Sequence, residues 1–106
     1  MQRSSEKHPS EEVTLTFDYA NELEPGEILT TPVTVAVEVD QSSPEEDHSP
    51  ASVLSGSPQV EEQKVLHLMV GGVDGVNYLV TCLAATSLDN TFARQLLVPV
   101  RARMTT

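Results

Sequence analysis

At 106 residues, with a net charge of −10 and 39% apolar side chains, the chain suits one domain with a modest core. Its acidity argues against a nucleic-acid surface, where Lys and Arg neutralise phosphates. The single cysteine, Cys82, excludes an internal disulfide framework and reads as a small buried hydrophobe. No apolar run approaches the roughly 18 residues of a membrane span. The opening MQRSSEKHPSEE lacks the apolar segment of a signal peptide, so a soluble protein made in a cytoplasm, with no membrane or nucleic-acid partner, is expected.

The charge is unevenly placed. Residues 1 to 75 carry 15 of the 16 acids against Arg3, Lys7 and Lys64, whereas residues 76 to 106 carry Asp89 against Arg94, Arg101 and Arg103. The first part is therefore at −12 and the second at +2. With no Trp, two Phe and two Tyr, the core falls to Val, Leu and Ala, and valine suits a pleated surface.

In chain order, residues 1–12 are polar and aperiodic and read as a flexible arm, to be ordered by a partner if at all. Val13, Leu15 and Phe17 alternate with Thr14, Thr16 and Asp18, the period of a strand with one buried face. Pro25-Gly26 then marks a tight turn, Pro presetting one dihedral and Gly accepting a positive one. From Ile28 to Asp40, Val33, Val35, Val37 and Val39 share one face of a strand expected to be central. Residues 41–52 form an acidic loop, QSSPEEDHSPAS, with no EF-hand spacing of calcium ligands.

The stretch from Ala51 to Val60 reads as a short strand and turn, broken by Gly56 and Pro58. Lys64 to Val70 carries apolar residues on both faces, so cover is expected on each. Gly71-Gly72 and Asp74-Gly75 bend the chain into a strand from Val76 to Thr86. There Tyr78, Val80, Cys82 and Ala84 share one face, and Leu79, Thr81, Leu83 and Ala85 the other. Ser87 to Thr91 reads as a hairpin turn into a last strand, Phe92 to Arg101, whose Pro99 suggests an edge position. Six to seven strands and no helical period predict an all-β antiparallel β-sandwich, one domain over 13–101 between the 1–12 arm and a 102–106 tail.

No residue pattern carries chemistry. His8, His48 and His67 lack further ligands at metal spacing, and no carboxylate pair is brought into an apolar cleft by anything in the sequence. Ser55-Gly56 lacks the flanking glycine of a nucleophile elbow, and Gly71 to Gly75 lacks the lysine of a phosphate loop. The chain is read as a non-enzyme without metal or cofactor.

The run from Tyr78 to Ser87, preceded by a glycine turn and followed by a hairpin, resembles the last two strands of fibronectin type III and other immunoglobulin-like modules. Tyr78 is then either a tyrosine-corner residue bonded back to the preceding turn or a core-edge tyrosine. The combination of TFDYANELEPGEIL, the alternating valines, VLSGSPQV and GGVDGVNYLVTCLAATS resembles small immunoglobulin-like virion proteins of tailed bacteriophages, of tail-fibre adaptor or minor capsid type. The resemblance implies a structural protein of the virion, in symmetric multi-copy contact with tail, fibre or major capsid proteins. Capsid decoration is the alternative within that class, and a carbohydrate-binding module the alternative outside it. Arg3, Lys7, Arg94, Arg101 and Arg103 are the expected partner contacts; Pro25, Gly26, Gly72, Gly75, Tyr78 and Cys82 are the expected structural residues.

Overall fold

A computed structural model describes residues 2–3 and 6–102, and for residues 2, 3, 31 and 32 the backbone alone. Seven strands follow in chain order: β1 Gln2–Arg3, β2 Val13–Asp18, β3 Leu29–Val39, β4 Leu54–Glu61, β5 Lys64–Met69, β6 Asn77–Thr86 and β7 Thr91–Pro99. A 3₁₀ turn, Pro50–Val53, leads into β4. The strands form two sheets, ordered β1-β7-β6-β3 and β2-β5-β4. Every pairing is antiparallel except that of β1 on β7.

Alternation explains how the sheets meet. Leu15 and Phe17 of β2, Val65 and Met69 of β5, and Val80, Cys82 and Ala84 of β6 are buried in one cluster with Val98 and Val100. Each buried aliphatic side chain contributes about 1.5–3 kcal/mol relative to exposure. This is the expected β-sandwich, and the two faces foreseen for β6 are the faces observed.

Four elements differ from expectation. β4 runs from Leu54 to Glu61 through Gly56 and Pro58, which shift its register between Ser55 and Gln59 rather than break it. β3 lies at the edge of its sheet rather than at its centre, and its valines are only half-buried. The register shift between Thr30 and Val33 is an irregularity that an edge tolerates more readily than a strand flanked on both sides. On β5, Val65, His67 and Met69 face the core, while Leu68 is exposed and Leu66 half-buried, so the outer face is uncovered. The stretch read as a free arm runs in part along β7: Gln2 and Arg3 pair with Leu96 and Leu97. The Lys7 amide donates to the Pro99 carbonyl at 2.9 Å, and the Arg101 amide to the Lys7 carbonyl at 2.9 Å. Backbone groups along β7 attract this segment, and two paired residues are too few to leave a period in the sequence.

Candidate docking surfaces

Both ends of the sandwich are fastened by polar side chains inside the chain. At one end Gly72 and Gly75 adopt φ of +106° and +91°, a region that favours glycine. The Tyr78 hydroxyl accepts from the Val73 amide at 2.9 Å and donates to Asp47 Oδ2 at 2.7 Å. Tyr78 is thus bonded back to the preceding turn, the first of its two sequence readings. Burial, then the bond to Asp47, pushes its pKa up to about 12. The same end draws in the acidic loop, for Ser43 Oγ accepts the Asn77 amide at 3.0 Å.

The opposite end holds a clamp that the sequence did not reveal. The Glu27 amide donates to the Glu24 carbonyl at 2.9 Å across Pro25-Gly26, and Gly26 has φ +82° as a type II turn requires. The buried Glu27 carboxylate accepts from the Thr86 hydroxyl, from Asn90 Nδ2 at 2.9 Å and from the Glu24 amide at 2.8 Å. The Thr86 bond first, then the others, holds its pKa below the ordinary value. Asp89, in the β6–β7 hairpin, takes φ +61°, as its place in a tight turn suggested. A glutamate directly after Pro-Gly was the available signal, but only the topology shows that it reaches the far hairpin.

The basic residues expected at partner contacts separate. Lys7 is buried, its ammonium donating to the carbonyls of Gly71 at 2.6 Å and His8 at 3.0 Å, and burial lowers its pKa. Arg94 pairs with Glu22 and lies over the Tyr19 ring, 6.0 Å from its centre. Arg101 donates to the Val100 carbonyl and to Asn77 Oδ1, each at 2.8 Å. Arg103 and the rest of the tail beyond Ala102 lie outside the described residues, as does the Arg3 side chain. Cys82 is buried, and burial pushes its thiol pKa up. The Tyr19 hydroxyl donates to the Cys82 carbonyl at 3.0 Å.

The outer sheet faces offer further surface. Among the described residues no three His, Cys, Asp or Glu side chains gather as metal ligands, and no helix is long and apolar enough to cross a membrane. The outer face of the four-stranded sheet is built in cross-strand rows: Glu38, Leu79 and Leu97; Ala36, Thr81 and Gln95; Thr34, Leu83 and Ala93. Glu38 is the sole charge that β3, β6 and β7 place in these rows, and the first row continues by register onto Arg3 of β1, on a chain of which 21% of residues are charged. Leu83 is 44% exposed there, and a shallow depression of about 260 Å³ lies beside Ala36, Leu79 and Thr81. Low charge and exposed aliphatic groups are features of protein-contact surfaces. Neither outer face carries an aromatic platform, because Phe17, Tyr19 and Tyr78 are buried and Phe92 packs against the core.

These features define an all-β protein of two packed sheets. The family model for the podophage GP4 fiber-tail adaptor protein gp77 matches residues 7–99, and the chain belongs to this family of phage tail-fibre adaptors. No curated protein matches it. The match begins at Lys7, the residue that ties the N-terminal segment to β7, and ends at Pro99, the last residue of β7.

Proposed function

We propose that the chain is a non-enzymatic adaptor of the phage virion that joins fibre to tail through protein contacts alone. The family match over nearly the whole sandwich carries this reading. The structure supports it in kind: polar side chains with special geometry, such as Tyr78, Asp47 and Glu27, are spent on fastening turns. The strand order supports an immunoglobulin-like sandwich, since two three-strand groups, β2-β5-β4 and β7-β6-β3, match the central strands of that architecture. The sparsely charged outer face formed by β3, β6 and β7 is the broad contact, with Leu83 exposed on its central strand.

The test is assembly without the chain. Particles made in its absence are expected to retain heads and tails and to lack fibres, and adding the purified protein should restore fibre attachment. Fibres present at normal number in its absence would contradict the adaptor reading. Leu83→Glu should preserve the fold and weaken attachment.

A further inference from the structure

We infer that the free edge of β2 and the cleft beside it form a strand-addition site for an extended segment of a partner virion protein, one that alternates apolar with Lys or Arg side chains. The inference rests on the adaptor reading and names how one of the two joined components is held. Its first basis is hydrogen-bond accounting. The Tyr19 amide donates to the Gln63 carbonyl at 2.9 Å, in the same register that pairs Val13 with Met69 and Asp18 with Lys64. Bonding alternates along an antiparallel pair, so Val13, Leu15 and Phe17 exchange bonds with β5, while Thr14, Thr16 and Asp18 turn their backbone groups away from it. Each of those three residues offers one donor and one acceptor. Among the described residues no strand pairs with this edge, since β2 is terminal in its sheet.

The second basis is the space beside that edge. A cleft of about 430 Å³ opens between β2 and β7, walled by Val13 and Leu15 on one side and Leu96 and Val98 on the other. A strand added to β2 would turn alternate side chains into this apolar space and the others toward solvent. Its ladder would supply the affinity and the cleft the register.

Charge selects the occupant. Glu11 lines the cleft, Glu12 precedes β2 and Asp18 ends it, all exposed; Glu11 Oε1 accepts the His8 amide at 2.7 Å and Asp18 Oδ1 the Ala20 amide at 2.9 Å, which leaves both carboxylates their charge, while the Lys7 ammonium, also in the lining, is engaged by Gly71 and His8. A second copy docking edge to edge would set these acids against their equivalents on a molecule of net charge −10. Residues 1–12 of another copy offer no apolar alternation to fill the cleft. A partner segment with Lys or Arg on its solvent side meets both conditions.

Overlapping peptides of about twelve residues, tiled across the tail and fibre proteins of the same virion, would be tested against the full chain by amide exchange. The expected result is that captured peptides alternate apolar and basic residues and protect the Thr14, Thr16 and Asp18 amides. Thr16→Pro removes one edge donor and should weaken capture about tenfold or more. Glu12→Gln with Asp18→Asn removes two of the edge charges while Asn keeps an oxygen for the Ala20 amide; it should weaken capture severalfold and decides the matter should the proline variant fail to fold. Equal capture by these variants, or no peptide that protects the three amides, would overturn the inference. Peptides that protect only the outer face of β6 would overturn it too, and would leave the adaptor reading standing.

Discussion

The two sheet edges that flank the N-terminal segment are finished in opposite ways. Along β7 the chain covers its own backbone, with Gln2–Arg3 in parallel pairing and Lys7 bridged to Val100. Along β2 the backbone of Thr14, Thr16 and Asp18 faces outward beside an apolar cleft. The covered edge consumes buried polar groups, so its residues should matter to stability; the bare edge consumes none, so its residues should matter to contact. That difference separates substitutions that unfold the chain from those that only disconnect it.

The largest effect is expected on the covered side. Lys7→Ala removes two bonds from a buried ammonium and strands the Gly71 carbonyl, at a cost of about 2–3 kcal/mol in urea unfolding. Gly72→Ala should cost about 2 kcal/mol, because φ is +106° there and the added Cβ would lie 3.0 Å from Val100 Cγ2. Tyr78→Phe gives up the bonds to Val73 and Asp47 and should cost about 1–2 kcal/mol. Should Lys7→Ala prove neutral, the covered edge would be no more structural than the bare one.

A pH effect sharpens the comparison from within β5. His67 is buried facing the core, opposite Leu15 of β2, with neither ring nitrogen hydrogen-bonded, and burial lowers its pKa from 6.5. The unfolded chain therefore takes up this proton more readily than the folded one. Its contribution is fully present above pH 6.5 and is lost as pH falls from there toward the lowered folded value. His67→Leu should flatten that part of the stability curve, as measured by chemical unfolding across pH. The smallest effect belongs to the bare edge, where Thr16→Val should shift stability by less than about 0.5 kcal/mol.

Much of the fold was legible because alternation is a local signal. Leu15 and Phe17, and Tyr78, Val80, Cys82 and Ala84, were read as buried faces and are, with Val13 half-buried at the end of its strand. Pro25-Gly26 and the Ser87–Thr91 hairpin announced themselves through residues that tolerate turn dihedrals. Strand order was not legible: four alternating valines look alike at a sheet's edge and at its centre, and β3 proved to be an edge. Nor could composition distinguish a lysine that meets a partner from Lys7, whose charge is absorbed by carbonyls 64 and one residues away. The docking surfaces were the least visible, because a sparsely charged face emerges only when β3, β6 and β7 are set side by side.

The most direct test of the central claim is the position and copy number of this chain in intact particles, by quantitative mass spectrometry of purified virions together with a density map of the tail. The account predicts a few symmetric copies between tail and fibre, with the β2 edge or the outer face of β6 against a neighbour. Hundreds of copies on the head, or none in the particle, would contradict it.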